Sequence, residues 1–227
     1  MLDYIPKFFT KNAIVLYFIA LIAVSVLFMG NQTSFIFMLF GIVEVCVFFH
    51  FSNQDSIAWK KLSEKAFINK IFVTALIIRV IYVLFSYYFY TIETGKLFEY
   101  GTADAYGYHE TAINYAELIS EGEFLSYLLT VINNGVSDLG YPTYLSVIYW
   151  LTDDSIMVAR LLKALYSAIA CVLIYKIASR HFGYSTGRMA AVMCVFMPHL
   201  IYYCGMHLKE TEMVFLTVAF IERADYL

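Results

Sequence analysis

The chain has 227 residues, 61% of them hydrophobic and 15% charged, with a formal net charge of −3. An ordinary soluble domain is roughly 45–50% apolar; here the mean hydropathy is +0.70, and the apolar residues gather in runs long enough to cross a hydrocarbon layer about 30 Å thick. The expected fold class is therefore all-α, a polytopic transmembrane helical bundle, and the small net charge without a basic patch excludes nucleic acid as a partner.

In chain order, Lys7 and Lys11 precede the first apolar run, and without a small-residue cleavage site this start reads as a retained anchor. Spans over 13–29 and 34–51, joined by a polar turn at 30–33, form a helical hairpin. Asn31-Gln32-Thr33 in that turn matches a glycosylation sequon, to which its closeness to the membrane gives little weight. A basic stretch, 52–70, with Lys60, Lys61, Lys65 and Lys70, leads to a third span over 71–90. Residues 1–70 thus form an N-terminal hairpin with a basic loop, and 71–227 a second module.

From 91 to 153 the chain turns acidic, with Lys96 as its one basic residue apart from histidine. Within this loop Ala105, Tyr108, Ala112, Tyr115, Ala116 and Ile119 recur at helical spacing. They predict an amphipathic helix over 104–120 whose other face carries His109, Glu110, Asn114 and Glu117. A short helix over 123–132 follows Gly122. Residues 141–151 are too few to span, and Gly140-Tyr141-Pro142 suits a helix opening at proline, lying along the membrane surface. The loop is thus expected to be a domain of interfacial amphipathic helices. Spans over 155–178 and 188–204 follow, and another begins near Lys209. The four cysteines lie in or at the edge of apolar runs without the paired spacing of zinc sites, and read as packing residues. Short loops rich in Lys and Arg stay in the cytoplasm, which places the N-terminus, 52–70 and 176–188 there and loop 91–153 on the extracytoplasmic side.

Asp104, opening the interfacial helix, is the first candidate for chemistry. A carboxylate there can accept a proton from an acceptor hydroxyl or hold a divalent cation; it can equally cap the helix through backbone N–H groups. Glu210 and Glu212, at the entrance to the last span, suit oxygen ligation of magnesium or manganese, although charged residues mark the water boundary of any span. Arg160 and Lys163, in the first two turns of the span over 155–178, suit a lipid-linked phosphate, with snorkelling as the plainer alternative; Lys209 is a third candidate of this type. Arg79 lies within a span, where arginine costs roughly 2.5–3.5 kcal/mol on insertion scales. By depth its expected partner is Glu44 of the antiparallel second span, a structural pair. His199 and His207 lack the spacing of a metal pair, and Pro198 kinks or ends its helix.

The order of these features resembles the GT-C membrane glycosyltransferases: a span, an acidic outer loop with an aspartate opening an interfacial helix, a proline-led short helix, two spans and paired acids. Gly140-Tyr141-Pro142-Thr143-Tyr144, Ala159-Arg160-Leu161, Arg180-His181-Phe182-Gly183 and Met197-Pro198-His199 look like the bacterial members related to protein mannosyltransferases, over about 71–227. The resemblance implies the N-terminal portion of an enzyme of the bacterial inner membrane. Such an enzyme moves a sugar from a polyprenyl-phosphate-linked donor to a glycan, lipid or protein acceptor on the extracytoplasmic side. It implies Asp104 and Glu210 as catalytic acids, with Glu212 joining them where a magnesium or manganese ion takes part, and membrane lipid as a constant partner. The hairpin before residue 71 departs from the family pattern. A surface-polysaccharide polymerase or ligase would carry an arginine-rich outer loop, which 91–153 is not. A transporter would show repeated halves, and no repeat is visible; a non-catalytic membrane protein is the remaining alternative.

Overall fold

The computed structural model describes residues 7–27, 35–99, 103–133 and 139–226; the expected turn at 30–33, with its sequon, lies outside them. The described residues are helical almost throughout, with no strand among them. The α-helices are α1 (Lys7–Leu27), α2 (Phe35–Ala58), α3 (Glu64–Thr94), α4 (Ala103–Glu121), α5 (Phe124–Asn133), α6 (Gly140–Thr152), α7 (Ile156–Phe182), α8 (Tyr184–Phe196), α9 (Pro198–Gly205) and α10 (Glu210–Tyr226). The all-α class is as expected. Among the described residues α3 and α7 are long and apolar enough to cross a membrane, with mean hydropathies of 2.0 and 1.9 over their most apolar 18 residues. At 1.5 Å per residue, the 31 residues of α3 reach about 46 Å, more than a bilayer core requires.

Three short helices expected in the acidic loop appear as α4, α5 and α6. Two expectations need correction. The basic stretch 52–70 is not a loop: α2 continues to Ala58, a single 3-10 turn covers Trp59–Lys61, and α3 starts at Glu64. The span over 188–204 is two helices, α8 and α9, broken at Met197, whose backbone is extended (φ −60°, ψ 114°). The pyrrolidine of Pro198 drives the residue before it out of the helical region, and proline then opens the next helix.

The chain divides into two compact units, one of Met1–Ala75, Ala168–Leu200 and Val218–Leu227, the other of Leu76–Ser167 and Ile201–Thr217. In the first, Arg188 joins the two basic stretches. Its guanidinium donates to the carbonyls of Trp59 (2.9 Å), Lys60 (2.7 Å) and Leu62 (2.5 Å) and stacks over the rings of Phe67 and Tyr184. A planar cation with several donors thus gathers the carbonyls in and just after the 3-10 turn, of which that of Trp59 also accepts the Leu62 N–H. Gly183, at φ +88°, turns the chain from α7 into α8, a conformation that costs glycine least. Gly187 then packs so tightly on α7 that a Cβ would stand 2.8 Å from the Ser179 nitrogen. Glu44 sits half-buried on α2.

In the second unit α4 packs on α6. Its buried residues, Ala105, Ala112, Tyr115 and Ala116, are among those the periodicity predicts, with Tyr108 and Ile119 half-buried, and the three alanines meet Leu145, Ile148, Tyr149 and Ala159 in one core. Tyr115 lies between Phe124 and Tyr127, fastening α5 to α4; burial pushes its hydroxyl up to about 12. Gly205 ends α9 against α3, where a Cβ would meet Ser86 Oγ at 2.4 Å. Arg79 is fully buried and donates through Nε to Ser167 Oγ at 2.7 Å. Its expected pairing with Glu44 joins residues of different units and stays a proposal.

Candidate active site

The opening turns of α7 bring two cations into the second unit on one helical face, at i and i+3. Arg160 and Lys163 are both 0% exposed, so neither snorkels. Arg160 donates through Nη2 to the Leu97 carbonyl at 2.6 Å. Lys163 Nζ donates to the carbonyls of Met206 (2.8 Å) and Leu208, and to the Tyr141 hydroxyl at 3.4 Å; Glu212 Oε2 lies 3.7 Å away. An ammonium out of water is tolerated when acceptors and a counter-charge replace its hydration, and the connection between α9 and α10 supplies them. Glu99, between α3 and α4, is buried as well. Burial pushes its carboxyl above the usual carboxylate range, against the pull of Arg160 and Lys163, while Glu210 is close enough to raise it further. The unit therefore sets two buried cations among several acids.

Beside these cations sits His207, fully buried among the rings of Phe98, His109, Tyr141 and Tyr149. The Tyr149 hydroxyl stands between two imidazoles, 3.0 Å from His207 Nε2 and 2.8 Å from His109 Nδ1. Burial holds His207 well below the ordinary histidine value, and Lys163, Arg160 and His109 push the same way. Burial also lowers His109, opposed by Asp154 and Glu110. His109 thus leaves the polar face on which its spacing placed it: it is half-buried and turned toward α6. The Tyr149 carbonyl in turn receives the backbone N–H groups of Asp153 and Asp154, both in the left-handed region at φ 56° and 58°, so one residue closes α6 and bridges the imidazoles.

Next to this cluster opens a groove of about 460 Å³ lined by Gly140, Tyr141 and Tyr144 of α6, Tyr166 of α7, Lys209, and Glu212, Met213, Phe215 and Leu216 of α10. Its walls are mainly apolar and aromatic, Tyr166 stacking on Phe215 at 5.1 Å, with Lys209 and Glu212 as its charged residues. Lys209 Nζ lies 5.6 Å from the centre of the Tyr108 ring on α4.

The second unit therefore contains Asp104, Arg160, Lys163, Lys209, Glu210 and Glu212. Lys163 and Glu212 meet directly, and Lys209 and Glu212 share the groove. Glu210 opens α10 with Oε2 buried and without a hydrogen-bond partner among the described residues. Asp104 is exposed in the first turn of α4, outside the buried cluster and one helical turn before Tyr108. Among the described residues no group of three or more His, Cys, Asp or Glu side chains could hold a metal ion. Asp104, Glu210 and Glu212 are thus not gathered as a metal-ligand set. The sequence assigned no site role to Glu99 or Tyr149, placed His109 on the polar face of its helix, and weighed His207 only as one of a metal pair. For His207 a signal existed, an imidazole in a short connection just after Gly205; for Glu99 none did, since it was one acid among many.

Residues 140–222 match the family model of the dolichyl-phosphate-mannose-protein mannosyltransferases. No curated protein and no solved structure matched the chain. The matched stretch runs from α6 through most of α10 and takes in every residue lining the groove. It supports the resemblance to the GT-C superfamily and a membrane glycosyltransferase of that type, and together with the apolar helices it supports an integral membrane protein.

Proposed function

We propose that the second unit binds a polyprenyl-phosphate-linked sugar and transfers that sugar to a hydroxyl or amide acceptor on the extracytoplasmic side of the membrane. The observation that carries the reading is the groove: apolar walls suited to a lipid tail, with Lys209 and Glu212 in their lining, built wholly from the family-matched stretch. A donor of this kind must keep its tail in lipid while its sugar reaches water, and such a groove serves both needs.

In this reading the acceptor's hydroxyl oxygen or amide nitrogen attacks the anomeric carbon and the bond from that carbon to the phosphate oxygen breaks. The phosphate leaves with the electron pair, and the acceptor proton passes to Asp104 as general base. Lys209 meets the leaving phosphate. Lys163, held by protein acceptors, and Arg160, which donates to the Leu97 carbonyl while its Nε and Nη1 have no hydrogen-bond partner among the described residues, supply positive potential from behind the groove rather than direct contacts. Glu210 orients the acceptor or the Lys209 ammonium at the start of α10. The basic stretches joined by Arg188 lie on the cytoplasmic side and loop 91–153 outside, by the rule that short basic loops remain in the cytoplasm; the membrane is the bacterial inner membrane.

The test uses the full chain in lipid vesicles with a polyprenyl-phosphate sugar as donor. Asp104→Asn is expected to lower turnover by about 10²–10⁴-fold, the usual contribution of a general base, and to leave donor binding intact. Met213→Trp, which fills the groove, is expected to raise the donor KM. Near wild-type transfer by Asp104→Asn removes Asp104 from this role, and transfer unaffected by Met213→Trp removes the groove.

A further inference from the structure

We infer that Tyr149 is a positioning residue whose hydroxyl, shared between His109 and His207, fixes the connection 206–209 so that Lys209 and Glu212 face the groove. The inference rests on reading that groove as the donor site. It begins from hydrogen-bond arithmetic: a hydroxyl has one proton and two lone pairs. Placed between two ring nitrogens it donates to one and receives N–H from the other, since receiving from both would leave its own buried proton without an acceptor among the described residues, so the two neutral imidazoles cannot choose tautomers independently.

Two arrangements satisfy the bridge. In one, His109 carries its proton on Nδ1, Tyr149 donates to His207 Nε2, and His207 bears its proton on Nδ1. In the other, His207 Nε2–H donates to Tyr149, Tyr149 donates to His109 Nδ1, and His207 Nδ1 is a bare lone pair. His207 Nδ1 is buried without a partner among the described residues. A buried N–H without an acceptor is costlier than a lone pair without a donor, and the buried cations Arg160 and Lys163 favour a lone pair near them. The second arrangement wins.

The connection 206–209 lies outside α9 and α10 and is held by side chains. Lys163 takes the carbonyls on either side of His207, those of Met206 and Leu208, and Tyr149 takes the ring between them. With both in place the chain enters α10 with Glu212 beside Lys163 and Lys209 over Tyr108. Without the hydroxyl the His207 ring loses its described hydrogen bond, and the connection is held by Lys163 and ring contacts alone. The titratable and charged groups facing His207 are His109 from α4, Tyr141 and Tyr149 from α6, and Arg160 and Lys163 from α7. Burial and the neighbouring cations all disfavour a charged imidazole there.

The experiment uses the full chain in lipid nanodiscs with nitrogen-15-labelled histidine. The expected wild-type spectrum shows His207 neutral and protonated on Nε2 at neutral pH, titrating only below the ordinary histidine range. Tyr149→Phe is expected to shift both the His207 and His109 nitrogens and to speed amide exchange of residues 206–209 by about tenfold, the equilibrium effect of one lost hydrogen bond. It should also raise the donor KM with kcat nearly unchanged, whereas a merely structural defect would lower the active fraction and leave KM alone. Should Tyr149→Phe not fold, His207→Gln, which keeps an amide toward Tyr149, is expected to retain slow exchange at 206–209, and His207→Leu to lose it. Ordinary titration of His207, or unchanged exchange on loss of the bridge, overturns the inference. Absence of sugar transfer by the wild type overturns the donor reading instead, and the exchange measurement then decides the positioning by itself.

Discussion

Lys163 draws together the carbonyls of Met206 and Leu208, the Tyr141 hydroxyl and the Glu212 carboxylate, and its burial decides what removing it would do. Lys163→Met keeps the length of the side chain but leaves the carbonyls of Met206 and Leu208 and the Glu212 carboxylate facing an apolar group. Loss of one partner of a buried ion pair typically costs roughly 3–5 kcal/mol, and denaturant unfolding in detergent should show a loss of that order. His207 adds a pH dependence whose sign follows from its depressed value. Unfolded, it binds a proton near about pH 6.5; folded, it binds one only at lower pH. Its contribution to stability is therefore complete above the unfolded value and is lost as the pH falls through the folded one. Glu99, raised in the folded state, acts with the opposite sign, losing its contribution as pH rises through its folded value. The difference between wild type and His207→Gln isolates the histidine: the wild type should lose stability relative to the variant as pH drops below about 6.5. At this scale the sequence showed which charges matter and not where they point. Arg160, Lys163, Lys209, Glu210 and Glu212 were legible as charges at span ends. That two of them are wholly enclosed depends on a connection more than forty residues downstream, which no local pattern reveals, and His109 was misplaced because helical periodicity cannot see a tyrosine waiting on another helix.

Among the elements, those with strong periodicity or a proline were legible. The face of α4 follows the spacing of its alanines and tyrosines, α6 begins near Pro142, and the break before α9 follows from Pro198, although the sequence alone left open whether that proline kinks or ends the helix. The extension of α2 through polar residues to Ala58 was not legible, since polar residues carry no apolar periodicity, and the turn that follows is held by Arg188 from a distant stretch. The same region yields a test of packing. Gly187→Ala would push a methyl group into the backbone of Ser179, which cannot yield as a flexible side chain can, and should cost about 1–3 kcal/mol, as overpacking does. Gly41 is the control: nothing lies within 4 Å of a Cβ there, and Gly41→Ala in the middle of α2 should be neutral or stabilising by up to about 1 kcal/mol. Thermal unfolding of the two variants side by side distinguishes a packing effect from a general intolerance of alanine.

At the scale of the molecule, composition fixes an all-helical membrane protein. Long-range contacts divide it into two units, with α3, α7, α9 and α10 each contributing residues to both. The division follows no composition boundary, since it passes through the middle of apolar helices, and it was not legible as sequence. The family match and the groove fall on the same stretch, and the functional account depends on that coincidence. Photo-crosslinking with a diazirine-bearing polyprenyl phosphate in vesicles, mapped by peptide mass spectrometry, tests it most directly. Adducts are expected on Tyr141, Tyr144, Tyr166 and Met213–Leu216, and should disappear in Met213→Trp. Labelling confined to the outer faces of α3, or concentrated at the apolar surface around Ile68, Phe72, Ile169 and Val172 and unchanged by Met213→Trp, would contradict the account.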